Sequence, residues 1–222
     1  MREVIATAFD DAGLRLSDAQ VAAFVGYAAL LGKWNARMNL TSVRDPEETV
    51  HAHFVDSCLA LHHVDIADGA HIADIGSGAG FPGAPLAILR PEARFTLIES
   101  VSRKTSFLHA LKSTLPLPGV SVACERVEPD ALLDTWSHAF DGVISRYTAS
   151  TEWVAECARG MTRPGGWCVM HKFDDDDERA ALGRVTAWPT VAETRWQADE
   201  RAAERRRFAY VRFRDEPASA DV

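Results

Sequence analysis

The chain has no uninterrupted apolar run approaching the roughly 20 residues that a membrane-spanning helix needs. Its start, Met1-Arg2-Glu3-Val4, brings in an acid almost at once and lacks the apolar core of a signal peptide. A membrane span is therefore not expected, and a cytoplasmic location is. Cysteine is scarce: Cys58, Cys124, Cys157 and Cys168 are scattered without a C-x-x-C pair, which argues against a zinc site or a disulfide framework. Histidine pairs occur at His51/His53 and His62/His63, but no cysteine or acid cluster completes a metal set. No metal is expected. A basic excess is also missing, since 24 Lys and Arg against 32 Asp and Glu leave a net charge of -8. The chain as a whole therefore has no electrostatic pull toward nucleic acid, although local basic clusters stand at Arg103-Lys104 and Arg205-Arg206-Arg207.

At 222 residues, 47% of them hydrophobic, the chain suits one α/β domain with an N-terminal extension and a well-buried core. Residues 1–69 read as helical. Ser17 is a plausible N-cap, with Val21, Phe24, Val25, Ala28 and Leu31 at helical spacing behind it. Asp45-Pro46-Glu47-Glu48 is a helix start, and Val50, Phe54, Cys58 and Leu61 form its apolar face. Over 70–214, strands alternate with helices. Strands are expected at His71–Ile75, Arg94–Glu99, Val120–Cys124, Phe140–Ser145 and Trp167–Lys172. Helices are expected at Gly83–Leu89, Ser102–Leu115, Pro129–Thr135 and Ser150–Arg159. Two further strands, near Thr190–Trp196 and Phe208–Phe213, close the series. The alternation implies a mainly parallel sheet covered on both faces. Asp174 to Asp177 read as a solvated loop leading into a helix N-terminus, and the polar tail 215–222 as disordered.

The most informative stretch runs from Ile72 through Asp74, Gly76, Gly78, Gly80 and Phe81 to Gly83, a buried strand ending in a glycine turn that opens a helix. Glu99 ends the next strand. A glycine turn after one strand and an acid after the next form a nucleoside-binding arrangement, the acid accepting from ribose hydroxyls. A pyrophosphate fingerprint would be G-x-G-x-x-G. Here the third glycine falls one residue early, at Gly80, and Phe81 stands in its place. Pro82 and Pro85 then remove N–H donors that a pyrophosphate would use. S-adenosylmethionine (SAM) carries no phosphate, so the pattern favours a SAM-dependent methyltransferase over a nicotinamide-dependent oxidoreductase.

Four linked blocks carry a closer resemblance. They are Lys33-Trp34-Asn35-Ala36-Arg37-Met38-Asn39-Leu40-Thr41 continuing to Pro46, His53-Phe54-Val55-Asp56-Ser57, the glycine block Asp74 to Pro85, and Phe140-Asp141-Gly142-Val143-Ile144-Ser145-Arg146. Together they resemble the small-subunit (16S) rRNA guanine-N7 methyltransferase family. The resemblance implies a class I SAM-dependent methyltransferase fold, Rossmann-like with a mainly parallel seven-stranded sheet. It further implies methyl transfer to N7 of a guanine in 16S rRNA, with the small subunit or its assembly intermediate as partner; a monomer is expected. Three positions depart from the family pattern: Ala52 where arginine is usual, Tyr147 where alanine is, and Phe173 where glycine is.

By resemblance, Gly76 and Phe81 belong to the cofactor loop, Val127 and Glu128 border the adenine, and Arg146 sits where the methionine end of SAM meets the substrate. The residues agree, because these positions follow strands whose carboxyl ends converge on one crevice. Glu99 would hold the ribose, so Glu99→Ala should weaken SAM binding while sparing the fold. Asp74 would act through water or the loop backbone. Glu128 also reads as a helix-start acid, and Arg146 as a surface ion pair. On the substrate side, Asn39 suits a base edge or a helix C-cap, and Lys172 and Arg103/Lys104 suit phosphates or plain solvated charge. Trp34 reads first as packing the extension onto the sheet. Guanine N7 has a lone pair and no proton to lose, so no catalytic base is assigned. Two other classes share these motifs: a diverged methyltransferase acting on a small metabolite, and a SAM-binding RNA or protein interaction module without catalysis.

Overall fold

The computed structural model describes residues 1–131, 136–200 and 206–215. Helix α1 (Arg2–Asp11) buries Ile5, Ala8 and Phe9 on one stripe. Helix α2 (Asp18–Met38) starts on a capping box, with Ser17 Oγ accepting from the Gln20 N–H and Gln20 accepting from the Ser17 N–H. It runs on past Leu31, the expected end, and stops where Asn39 turns left-handed at φ 49°. Helix α3 (Pro46–Thr49) starts at Asp45, whose carboxylate accepts from the N–H groups of Glu47 and Glu48.

That helix does not continue regularly. It widens into a π-helical turn over Val50–Val55, then passes through α4 (Asp56–Cys58) into a 3₁₀ turn, Leu59–His62. Val50, Phe54 and Cys58 are buried as their spacing requires, and Leu61 is half-buried. The π turn frees the Ala52 carbonyl for a side chain far along the chain, the Arg146 guanidinium, at 2.9 Å.

From His71 onward, strand and helix alternate: β1 (His71–Ile75), α5 (Gly83–Leu89), β2 (Arg94–Ile98), α6 (Ser102–Thr114), β3 (Val120–Ala123), β4 (Phe140–Arg146), α7 (Thr151–Met161), β5 (Thr162–Phe173), α8 (Asp176–Thr186), β6 (Val191–Ala198) and β7 (Arg206–Phe213). The sheet order is β3-β2-β1-β4-β5-β7-β6. The first five strands are parallel, and β7 lies antiparallel between β5 and β6. Helix α8 is capped by Asp175, so the acidic run does lead into a helix N-terminus. At the expected Pro129–Thr135 helix, a 3₁₀ turn occupies Pro129–Ala131 and 132–135 lie outside the described residues. The expected disordered tail lies outside them from 216 onward.

Period-two alternation divides the sheet's side chains between two cores. Ile72, Ile144, Val169 and Tyr210 face one side, where the helical extension packs. Ala73, Val143, Cys168 and Val211 face the other, against α7 and α8. The extension and the sheet thus share a single core on the first side. Tyr27 of α2 stacks on Phe81 with centroids 5.5 Å apart, contacts Phe54, and donates through its hydroxyl to the Ala79 carbonyl at 2.6 Å. Tyr27→Phe should therefore destabilise the chain by about 1–3 kcal/mol, the cost of an unpaired buried acceptor. Urea unfolding measures this, and a variant as stable as wild type would show that the bond contributes nothing.

Candidate functional site

Strand order reverses between β1 and β4, and the crevice beside their carboxyl ends is where an open α/β sheet takes its ligand. A cavity of about 400 Å³ lies there, within the roughly 300–1,000 Å³ range of ligand pockets. Ile75 and Gly76 line it from β1, Ile98 and Ser100 from the end of β2, and Val127 and Glu128 from the segment after β3. Glu125 and Arg126 of that same segment line it too, Arg126 pairing with Glu128 at 2.9 Å, and Thr148, Ala149 and Ser150 after β4, with Trp153 of α7, complete the wall.

The turn's three glycines all have positive φ, and a side chain at each would meet different surroundings. At Gly76 (φ 73°) a Cβ would collide with the Thr148 side chain, and at Gly80 (φ 91°) with the Tyr27 hydroxyl. At Gly78 (φ 57°) a Cβ would meet nothing nearer than the Gly76 carbonyl oxygen, 3.9 Å away. Gly78 therefore leaves its backbone open to a ligand, while Gly80 serves packing against the extension.

Two acids hold the turn. Asp74 is fully buried; Oδ2 accepts from the Gly83 N–H at 2.9 Å, and Oδ1 has no partner. Burial pushes its carboxyl up to about 7, against the Gly83 N–H, Ser77 and Arg146, which act to lower it. Asp74 thus acts through the loop backbone. Glu99 is nearly buried, and its two oxygens accept from the N–H groups of Gly78 (3.0 Å) and Val101 (2.8 Å). The carboxylate thus ties the turn to the end of β2, a structural role that the sequence reading of Glu99 did not include. Each oxygen still has a second lone pair to offer a ligand.

Phe81 faces the core rather than the cavity, between Tyr27 and the His53 ring at 4.7 Å. Arg146 is also turned inward. Its side chain is 9% exposed, donating to Asp56 Oδ2 at 2.7 Å, to the Ala52 carbonyl and to His53 Nδ1 at 2.8 Å. Its ion pair is thus buried rather than at the surface. Asp56 is also paired with Arg206 and Asp174 with Arg207, each at 2.5 Å, so two members of the expected basic cluster are engaged within the chain, and Arg205 lies outside the described residues. Burial would raise the Asp56 carboxyl, yet Arg146 and Arg206 hold it below the usual range. His171, 3.9 Å away, is neutral at pH 7 and contributes little to that hold.

The expected phosphate role of Lys172 is corrected as well. Its side chain is 5% exposed, donating to the Ala149 carbonyl and to Glu178 at 3.2 Å. Asn39 is the left-handed C-cap of α2 and accepts from Arg44, which realises the capping role. Trp34 packs edge-on against Phe107, so it joins the extension to helix α6 rather than to the sheet of the first reading. Arg103 is exposed, and Lys104 lies 3.7 Å from Glu99.

Among the expected cofactor residues, Gly76, Val127 and Glu128 line the cavity directly. Asp74, Gly78, Gly80, Phe81, Glu99 and Arg146 shape or support its walls. Sequence reasoning missed Ser100, Thr148, Ser150 and Trp153, although each follows a strand end and could have been sought there. The lining joins apolar Ile98 and Val127 to polar Ser100 and Glu128, and an unpartnered Asp74 oxygen lies buried behind the turn.

Residues 20–199 match the family described as rRNA small subunit methyltransferase G. A protein of Yersinia pseudotuberculosis serotype O:3, named Ribosomal RNA small subunit methyltransferase G, is 39% identical over 173 residues, 77% of this chain and 81% of that protein. One of the same name from Cronobacter sakazakii is 37% identical over 183 residues, 82% of this chain and 85% of that protein. A SAM-dependent methyltransferase of Aquifex aeolicus superposes with a TM-score of 0.59 at 13% identity, over 79% of this chain and 97% of that one. A SAM-dependent O-methyltransferase of Thermotoga maritima gives 0.55 at 14% identity, over 83% and 71%. The fold is that of the class I SAM-dependent methyltransferases.

The buried histidines make stability depend on pH. Burial, then Arg146, pushes His53 down to about 4. Burial pushes His171 down to about 3, with Asp56 opposing and Arg146 and Arg206 assisting. An unfolded histidine titrates near 6.5, so below that pH the unfolded chain binds two protons that the folded chain refuses. This stabilising contribution is intact above pH 6.5 and is lost as pH falls toward 4. His63 and His71, also lowered, add in the same direction. Asp74 works oppositely with one proton. Between pH 6.5 and 4 the histidines outweigh it, two protons against one, leaving a net loss of about 1.4 kcal/mol per pH unit. Urea unfolding between pH 4 and 7 measures the slope. His171→Gln should flatten it, and an unchanged slope would contradict the assignment.

Proposed function

The chain belongs to the rRNA small subunit methyltransferase G family, and from that membership we infer that it transfers a methyl group from SAM to N7 of a guanine in the 16S rRNA of the small ribosomal subunit. One observation carries the reading: the residues that the family match spans also build a crevice of ligand size around an open glycine turn. Gly76, Val127 and Glu128 would contact the bound nucleoside, Gly78 would present its backbone, and Glu99 and Asp74 would hold the turn in place. SAM bound there supplies an electrophilic sulfonium methyl group. The acceptor N7 needs no deprotonation, so this chain's task is alignment and exclusion of water rather than acid–base chemistry. Arg146 and Lys172 act as positioning residues, fixing the ends of β4 and β5 beside the crevice. Asn39 sets the entry to the loop after α2.

With a net charge of -8, the chain gains little from nonspecific attraction to phosphate. A preformed target therefore suits it better than bare RNA, which favours the small subunit or its assembly intermediate as substrate, met in the cytoplasm by a monomer.

Glu99→Ala should lower SAM affinity roughly ten- to hundredfold and also destabilise the fold, because two backbone donors lose their acceptor. Calorimetry with SAM and a denaturation curve read the two effects; unchanged SAM affinity would mean that the turn does not depend on this carboxylate. For the reaction itself, deletion of the gene should remove one N7-methylguanine from small-subunit rRNA, mapped by reductive strand scission. Wild type should restore it. Ser100→Trp, which obstructs the crevice from an exposed wall position, should not. An unchanged modification pattern in the deletion strain would overturn the rRNA assignment in favour of a small-molecule acceptor.

A further inference from the structure

Two neighbouring strands end beside the crevice in aromatic residues that stack on each other. Tyr147 follows Arg146 at the end of β4, and Phe173 is the last residue of β5. Their ring centroids lie 4.5 Å apart at an interplanar angle of 19°. Phe173 is 54% exposed; among the described residues, only Met1 and Val101 are comparably exposed large hydrophobics. Tyr147 is held in a left-handed conformation (φ 52°) that a bulky residue rarely adopts. The guanidinium groups of Arg146 and Arg206 each lie 5.6 Å from its ring centroid, and Asp56 neutralises only one of those two charges. The result is a rigid, cation-backed aromatic ring with a second ring open to solvent in front of it.

The surroundings narrow what this surface could hold. Thr148 to Ser150, directly after Tyr147, line the SAM crevice. Phe173 lines an adjoining hollow of about 420 Å³ that shares Ser150 with that crevice. Glu152 and Arg184 line the hollow as an ion pair, Asp175 caps α8, and Glu178 is paired with Lys172, which leaves the Asp177 carboxylate to accept from the N–H groups of a nucleobase edge. A flat ring to stack on, with an acceptor beside it, matches a base rather than a sugar–phosphate backbone.

We propose that an unpaired base of the substrate RNA stacks on the exposed face of Phe173, with Tyr147 as its fixed backing, and that this pair sets the RNA specificity of methyl transfer. The proposal rests on the rRNA reading above, and it gives a role to two of the three positions where this chain departs from the family pattern.

The test compares wild type with Phe173→Ala, Phe173→Leu and Phe173→Trp, using small subunits purified from the deletion strain as substrate. Loss of the aromatic face in the Ala and Leu variants should lower kcat/KM for subunits roughly tenfold or more, mainly through KM. The Trp variant should recover it, and SAM affinity measured by calorimetry should stay at the wild-type value in all three. A Leu variant as active as wild type would overturn the proposal in favour of apolar contact with a protein, and an unaffected Ala variant would overturn it outright. If wild type transfers no methyl group to subunits, the rRNA reading fails on its own. The same variants are then compared for retention of 16S rRNA on filters. Loss with Ala and Leu and recovery with Trp would support base stacking there, and equal retention would overturn it.

Discussion

The rest of the molecule depends on one buried carboxylate. Asp56 comes from the helical extension, is 3% exposed, and sits between Arg146 at the end of β4 and Arg206 at the start of β7. An isolated carboxylate there would cost several kcal/mol in lost hydration, so the two guanidinium groups are a condition of its burial. By holding both, Asp56 pins the extension to two strands at once. The π turn just before it adds the Ala52 carbonyl as a further acceptor for Arg146. With β4 fixed, Thr148 lies close enough to Gly76 to exclude a side chain there, and the crevice wall after β4 is set. The same arginines flank the Tyr147 ring, so the crevice wall and the Tyr147–Phe173 pair share a single electrostatic anchor.

Local chemistry made most of the fold legible from sequence. Ser17, Asp45 and Ser150 are side-chain caps whose preference for helix starts does not depend on the rest of the chain. The strands follow apolar runs bounded by polar turns, and each expected strand is present with ends shifted by a few residues. What could not be read was the use of side chains over long distances. Arg146 and Asp56 are 90 positions apart, and neither residue's neighbours announce the other. Lys172 looks like a surface cation until Glu178 and the Ala149 carbonyl are seen around it. The π turn was hidden for a similar reason, since the side chain that bonds its Ala52 carbonyl comes from a distant arginine.

Within the site, residue type told more than residue role. The glycine turn and the acid at the end of β2 identified the crevice, yet Glu99 holds the turn by accepting from its backbone. Phe81 belongs to the glycine loop in sequence, and its ring also links that loop to the extension. Such roles make the turn a consequence of tertiary packing: Tyr27 and Phe81 on one side, Asp74 and Glu99 on the other. A loop held from both sides keeps its shape without help from a ligand.

The central claim is that this chain's crevice delivers a methyl group to guanine N7 in the small subunit. Its most direct test incubates the purified protein with methyl-labelled SAM and small subunits from the deletion strain, followed by nuclease digestion and mass analysis of the labelled nucleotide. The account predicts label approaching one methyl group per subunit, all of it on a single N7-methylguanosine in 16S rRNA. Label on another atom, on several sites, or none on subunits while SAM still binds would contradict it.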